Sequence, residues 1–327
     1  MAICVTGSGG FIGRALLKRL ASEKKPVSAL IRTGCPDLPE APDIRYVKGD
    51  LRSPVVLSEL FENCGCLIHL AFASDSAASG HKEAEQVNVN ATENLILKAA
   101  DYGISRVIYV SAASLYQRNG GIITEETPSK SKGSNVYENH KITCENILKK
   151  IAEDYDMDLV ILRPVSVYGP GDKKFLHFFR TIKSSKIFMI GSGENHIPLV
   201  YVEDLVNAIT AAIDHPLAID QEYIVAGSNS SLTLGKMVKQ VSECLGTKPD
   251  IVPLPSFPAL YAAKLIENIF PSFGFPSPFG NEYLSFFTED LIYSSEKITL
   301  DLGVSLNTTP EEGIVKTIEF YRSNRLI

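Results

Sequence analysis

No cysteine pair in this chain stands at CxxC spacing with histidine partners. Its six cysteines, Cys4, Cys35, Cys64, Cys66, Cys144 and Cys244, are scattered. Cys64-Gly65-Cys66 is too tight for a zinc knuckle, so reduced structural thiols of the cytosolic kind are expected. The six histidines are equally dispersed, with no HxxxH spacing and no Cys/His cluster, and no metal site is read from them. No Ser-His-Asp arrangement can be inferred either. Positive charge is in deficit: 32 Lys and Arg against 38 Asp and Glu leave a formal charge of −6. That argues against nucleic acid or an anionic membrane as partner. No apolar run reaches the roughly 18 residues of a membrane span. The stretch 253–287 is rich in Phe, Leu and Pro, but Lys264, Glu267 and Asn268 interrupt it. It reads as a lid or a wall of a substrate lobe. The chain passes from MAICVTG straight into a strand, without a basic leader or cleavage site, so a cytoplasmic location is expected.

What is present is an alternation. AICV, VSALI, IRYV, CLIHLA, RVIYV, LVIL and EYIVA are short β-branched runs bounded by Gly, Asp or Ser. Amphipathic segments lie between them, such as FIGRALLKRLASEKK, where Ile12, Leu16 and Leu20 recur at helical spacing. Buried strands alternating with helices mean a parallel sheet covered on both faces. The expected fold class is α/β: a Rossmann-type, doubly wound parallel sheet of about seven strands with a smaller, mostly C-terminal α/β substrate lobe. The alternation lapses over 176–198 and after Ala226. Residues 1–168 and 198–227 are therefore assigned to the dinucleotide-binding domain, and 169–197 and 228–327 to the lobe.

The first strand runs into TGSGGFIG. Gly7 suits the tight turn, Gly10 a close approach of backbone to a pyrophosphate, and Gly13 close packing of the new helix. The helix opening at Phe11 and Ile12 offers free N–H groups to phosphate. The glycine trio is weak evidence alone; its place between a strand and an amphipathic helix strengthens it. Strand two ends at Arg32, where an acid would suit the ribose hydroxyls of NAD. An arginine, with Thr33 beside it, suits the 2′-phosphate of NADP, so NADP is preferred and NAD possible. Asp50 and Leu51, in GDL after strand three, are placed near the adenine.

Tyr137 and Lys141, in YENHK, share one helix face. An ammonium beside a tyrosine favours the phenolate, which can pass a proton to or from a carbonyl oxygen. The motifs TGSGGFIG, GDL, HLAFA, NVNATENL, YVSAASLY, YENHK, LRPVSVYGPGD and GSGENHIPLVYVEDL, with the tail SSEKITLDLGV, occur in the order of a known family. The chain resembles the extended short-chain dehydrogenases/reductases, the NAD(P)-dependent epimerase/dehydratase group. The resemblance implies catalytic roles for Tyr137 and Lys141, which would also contact the cofactor, Leu70 and Ala71 along the cofactor, and Pro164 and Val165 beside the nicotinamide. It also implies a homodimer formed through helices at 88–101 and 137–151.

Two departures bear on function. The family's substrate-holding Ser or Thr falls at Ala112. Ser114 shares its parity and could replace it if the chain stays extended; Ser111 could do so with a local backbone shift. Otherwise substrate or water supplies the contact, or the protein binds cofactor without turnover as a sensor or scaffold. The arginine that holds the diphosphate in nucleotide-sugar epimerases falls at Ile197, which cannot neutralise phosphate, with His196 a poor substitute. GxGxN…VYV is also similar to the 3β-hydroxysteroid dehydrogenase branch, and ALIR to NADPH-using reductases. The expected reaction is NAD(P)-dependent interconversion of a secondary alcohol and a ketone, on a modified sugar nucleotide or a steroid- or flavonoid-like alcohol. A NAD-retaining nucleotide-sugar 4-epimerase or dehydratase is the alternative. His69 reads as a satisfied core histidine, Asp204 as a helix-start anchor, and KSK at 130–132 as a solvated loop.

Overall fold

The computed structural model describes residues 2–35, 37–73, 80–118, 120–183, 186–228, 232–254 and 289–327. Most of the stretch 253–287, read above as a lid or lobe wall, lies outside them. In chain order the elements are β1 (Ala2–Thr6), α1 (Phe11–Ser22), β2 (Val27–Ile31), β3 (Ile44–Lys48), α2 (Pro54–Phe61), β4 (Cys64–His69), α3 (Gly80–Glu85), α4 (Ala91–Asp101), β5 (Arg106–Val110), β6 (Ile122–Ile123), α5 (Val136–Asp154), β7 (Asp158–Pro164), β8 (Ser166–Tyr168), α6 (Lys173–Lys183), β9 (Lys186–Ile190), β10 (Leu199–Tyr201), α7 (Val202–Asp214), β11 (Glu222–Val225), α8 (Leu234–Leu245), β12 (Asp250–Leu254), β13 (Ile292–Tyr293), α9 (Glu296–Leu302) and α10 (Pro310–Ser323).

The seven apolar runs of the sequence become one seven-stranded sheet, ordered β3-β2-β1-β4-β5-β7-β11. Every pairing in it is parallel. All residues of β2 and β4 are buried, which follows from a parallel sheet packed on both faces. On one face Leu16, Leu17 and Leu20 of α1 meet Leu205, Ile209 and Ala212 of α7 over Ile3, Val5 and Ile108. On the other, α2, α4 and α5 bring Leu57, Leu60, Leu95, Ile96, Cys144 and Leu148 against Cys4, Leu67 and Val107. The order reverses at β1, whose neighbours are β2 and β4. Open α/β sheets bind ligands in the crevice at that switch point.

A third apolar cluster stands apart from the sheet. It joins Leu176, Phe179 and Ile182 of α6 to Leu234, Met237 and Val241 of α8 and Ile314, Ile318 and Tyr321 of α10. Ile197 belongs to it and is only 1% exposed. The position compared with a phosphate-binding arginine is thus a core position. The segment 289–293 reaches back to the main sheet's side of the molecule through the parallel β6–β13 pair and an Arg118–Glu289 ion pair.

One buried charge network ties α5 to the sheet. Arg163 on β7 grips Glu145 on α5 with two bonds, 2.9 Å from Nε and 2.6 Å from Nη2. Its second partner is Glu222 of β11 at 2.8 Å, and its guanidinium lies 4.8 Å from the Tyr116 ring centroid. Removing Glu145 takes both of its bonds from the buried Arg163 and leaves it the less buried Glu222 alone. Glu145→Ala is expected to cost about 3–5 kcal/mol of stability, read from urea unfolding. A midpoint unchanged from the parent contradicts this role.

Candidate active site

A parallel sheet delivers the ends of all its strands to one edge, and the candidate residues are there. Gly7 follows β1, Arg32 follows β2, Asp50 and Leu51 follow β3, Leu70 and Ala71 follow β4, Ser111 follows β5, and Pro164 and Val165 straddle the end of β7. Gly7 adopts φ +71°, and a Cβ there would stand 2.6 Å from the backbone of Leu70 and Ala71. Only glycine lets β1 turn out beside β4 at this distance. A Cβ on Gly13 would fall 2.3 Å from the Gly7 carbonyl, so α1 sits directly on the turn. Gly10 is exposed and forms the N-cap of α1, with no side-chain cap and no acid in the first turn. The free N–H groups of Phe11, Ile12 and Gly13 therefore face an end that complements an anion.

Arg32 is exposed at the same edge. Asp50, expected near the adenine, is already engaged. Arg52 binds it through Nε at 2.8 Å and Nη2 at 2.6 Å, and also through its backbone N–H at 2.8 Å. Those Arg52 bonds hold the Asp50 carboxyl down to about 2, with the Arg32 charge adding a smaller pull. Arg52 was not singled out from the sequence; its spacing two residues after the aspartate was the available signal.

Between β1 and β4 runs a closed chain of hydrogen bonds. Ala71 N–H donates to Thr6 Oγ1 at 3.4 Å, and Thr6 Oγ1 meets His69 Nδ1 at 2.6 Å. His69 Nε2 meets Thr92 Oγ1 at 2.9 Å, and Thr92 donates to the Asn88 carbonyl at 2.6 Å. The donors and acceptors fit a neutral imidazole carrying its proton on Nε2, a tautomer assigned from the network. Burial, with the Lys141 charge second, drives His69 down to about 3. Its reading as a satisfied core histidine is correct, and its partners make it the hub of the crevice. Asn88 sits in a π-helical turn (Gln86–Asn90) that leads into α4. Its side chain clamps Ala73 by both backbone groups, at 2.7 and 3.0 Å, and reaches His140 Nδ1 at 3.3 Å. π-turns often mark functional positions in helices. Sequence reasoning quoted NVNATENL but gave Asn88 no role.

Tyr137 and Lys141 lie in the first two turns of α5. Lys141 is buried and donates to the Val110 carbonyl at 2.8 Å, while Tyr137 is half-buried. Burial pulls Lys141 down to about 8, against smaller opposing effects of Cys144 and Glu145. The start of α5 is braced. Asn135 Oδ1 accepts Glu138 N–H at 2.8 Å, and Glu138 Oε2 accepts Ser134 N–H at 2.8 Å. This reciprocal cap was legible as Asn135-x-x-Glu138. Lys130 donates to both Glu138 oxygens, at 3.1 and 3.0 Å, so it is not the solvated loop residue expected of KSK.

Ala112 is buried and extended, with φ −152° and ψ 140°. After it the chain coils into a 3₁₀ turn, Ala113–Leu115. The extended path required for Ser114 to share the Ala112 face does not exist, because strand parity ends where the turn begins. Ser114 is half-buried on that turn. Ser111 is 3% exposed, and its hydroxyl has no hydrogen-bond partner among the described residues. Asp204 lies in the first turn of α7 and accepts from Thr308 N–H and Oγ1 at 3.1 and 2.9 Å, so it anchors the chain between α9 and α10. His196 pairs with Asp290 at 2.7 Å. Among the described residues no three His, Cys, Asp or Glu groups could hold a metal ion. None of the described helices is long and apolar enough to cross a membrane.

The NAD dependent epimerase/dehydratase family model matches residues 3–227. This chain belongs to that family. It is 29% identical over 282 residues to a UDP-glucose 4-epimerase of Vibrio cholerae, covering 82% of each chain. It is 26% identical to a 2-alkyl-3-oxoalkanoate reductase of Stenotrophomonas maltophilia, covering 96% of this chain and 97% of that one. Its fold superposes on MoeE5, solved with UDP-glucuronic acid and NAD, with TM-score 0.78, 21% identity, and coverage of 99% and 100%. Membership of this family, with relatives named as an epimerase and as a reductase, is consistent with an enzyme using a nicotinamide dinucleotide.

The His69 hub makes a measurable prediction. Its folded value near 3 lies below the ordinary 6.5, so the unfolded chain binds the extra proton and stability falls as pH drops from 6.5 toward 3. Over that window the parent should lose roughly 1.4 kcal/mol per pH unit more than His69→Gln. Parallel unfolding curves for the two proteins contradict the neutral, fully bonded His69.

Proposed function

We propose that this protein is an NAD(P)-dependent oxidoreductase that interconverts a secondary alcohol and a ketone. The observation that carries the reading is the buried Lys141 ammonium one helical turn from Tyr137, at the strand edge that also holds the uncapped α1 N-terminus. The residues present fit a dinucleotide: Gly7, Gly10 and Gly13 with Phe11 and Ile12 for the pyrophosphate, Asp50 and Leu51 for the adenine end, and Leu70, Ala71, Pro164 and Val165 for the nicotinamide end. When bound, the cofactor supplies or accepts the hydride. The Tyr137 hydroxyl gives its proton to the carbonyl oxygen as the attached carbon is reduced, and takes one back in the reverse direction. Lys141 stabilises the phenolate that remains. The buried Ser111 hydroxyl, without a hydrogen-bond partner among the described residues, is the candidate for the donor absent at Ala112. Arg32, exposed after β2 and near enough to act on the Asp50 carboxylate, supports NADP over NAD.

An apolar ketone is favoured over a nucleotide sugar as substrate. The family resemblance implies that the epimerase arginine falls at core residue Ile197, and Arg118, Arg180 and Arg322 are bonded to Glu289, Leu326 and Cys244. The resemblance to an oxoalkanoate reductase over nearly the whole chain supports the same choice. The UDP-glucose 4-epimerase relative supports a second reading, a NAD-retaining epimerase. A cytoplasmic homodimer through α4 and α5 is proposed with both, supported by half-buried Leu97, Ile142 and Ile147 on that pair.

Turnover of a ketone panel and of UDP-sugars, followed at the nicotinamide absorbance, separates the two. Tyr137→Phe should lower kcat by about 10²–10⁴-fold, with a much smaller effect on dinucleotide affinity. Ser111→Ala should cost roughly 10²–10³-fold in kcat, against little for Ser114→Ala. Arg32→Ala should weaken NADPH about tenfold and spare NADH. Epimerisation of a UDP-sugar with tightly held NAD, and no net ketone reduction, overturns the first reading in favour of the second.

A further inference from the structure

Phe72 follows the crevice residues Leu70 and Ala71 and touches both members of the proton-transfer pair. The Lys141 Nζ lies 4.2 Å from the centroid of its ring, and the Tyr137 ring packs against it edge-to-face at 5.1 Å. A second ring, that of Tyr109 on β5, lies 4.7 Å from the same ammonium. Phe72 is itself half-buried, and the backbone of the next residue, Ala73, is clamped by the Asn88 side chain. The ring is thus held from behind by a fixed loop and presented to the helix that carries both functional side chains.

Two forces act on a buried ammonium in such a place. Removal from water disfavours its charge, and the faces of aromatic rings favour it. The Val110 carbonyl supplies one hydrogen bond of the three that an ammonium can donate. Among the described residues, the titratable groups around Lys141 are Tyr137, Cys144 and Glu145 on its own helix, His69 on β4 and Tyr109 on β5. Glu145 is spent on Arg163, and His69, bonded to Thr6 and Thr92, is kept neutral by burial and by the Lys141 charge itself. The 71–73 loop brings no charge, only the Phe72 ring.

We infer that Phe72 is a positioning residue: with Tyr109 it clasps the Lys141 ammonium in its charged form against the Val110 carbonyl, and it steadies the Tyr137 ring beside it. The inference rests on the reading of Tyr137 and Lys141 as the proton-transfer pair, but the clasp itself acts without cofactor or substrate. Phe72→Leu keeps apolar bulk and removes the ring face. Losing a ring from a desolvated cation lowers its ionisation midpoint by about one pH unit. In turnover, the alkaline fall of kcat should begin about one unit lower, because neutral Lys141 no longer stabilises the phenolate.

The test is a titration of the ligand-free protein labelled with [13Cε]lysine, followed by NMR. The parent should show one lysine resonance that titrates near 8, absent from Lys141→Met. That midpoint should drop by about one unit in Phe72→Leu and return to the parent value in Phe72→Tyr. Phe72→Met, equally apolar and unbranched, takes the place of the leucine variant if the latter fails to fold. A leucine or methionine variant whose Lys141 resonance titrates with the parent overturns the clasp. Turnover is read separately: the expected lysine shift in a protein that converts no ketone or UDP-sugar upholds the clasp and rejects the enzymatic reading.

Discussion

The whole site depends on strand direction. Because all seven strands of the main sheet run parallel, six sequence-distant segments, after β1, β2, β3, β4, β5 and β7, end on one edge. The reversal of strand order at β1 then opens the crevice between β1 and β4. What keeps it in shape is polar: Thr6, His69, Thr92 and Asn88 bond in sequence across the gap, and each member depends on the next. A fully satisfied buried network of this kind specifies one geometry, since any half-satisfied alternative is costly.

Lys141 stands at the meeting point of that frame with α5. Its helix is fixed at three places: a reciprocal cap with Lys130 behind it at the start, the Val110 carbonyl in the second turn, and the Arg163–Glu145 pair further along. The molecule therefore spends two buried cations, Lys141 and Arg163, on one helix. Arg163 is paired with two carboxylates and remains charged. Lys141 has a carbonyl and ring faces but no direct carboxylate partner among its described bonds, and burial brings it toward neutral pH. The difference fits a structural role for the first and a chemical one for the second.

The strand runs, the glycine turn, the α1 register and the Tyr137–Lys141 face were legible in the sequence because each rests on local periodicity or on a chemical type at fixed spacing. The stability of α1, for example, follows from Leu16, Leu17 and Leu20 falling on one face. What escaped was tertiary or depended on where a period stops. Ser114 does not share the face of Ala112, because the chain leaves the extended path at Ala113. Ile197 was compared with a ligand-binding position, while the third cluster claims it as core. Phe72, Asn88 and Arg52 gain meaning only from partners 65–69, 15 and two residues away respectively. The Asn135–Glu138 cap is legible from its spacing, whereas the Lys130–Glu138 contact, eight residues apart from loop to helix, is set by the fold.

The central claim is that the strand edge built around Gly7, His69 and Lys141 receives a nicotinamide dinucleotide. The most direct measurement begins with freshly purified protein: it is denatured, any released nicotinamide is identified by mass spectrometry, and the emptied, refolded protein is titrated calorimetrically with NADPH and NADH. The account predicts sites free to exchange, binding one dinucleotide per chain and NADPH more tightly than NADH. Binding of neither dinucleotide would contradict it outright.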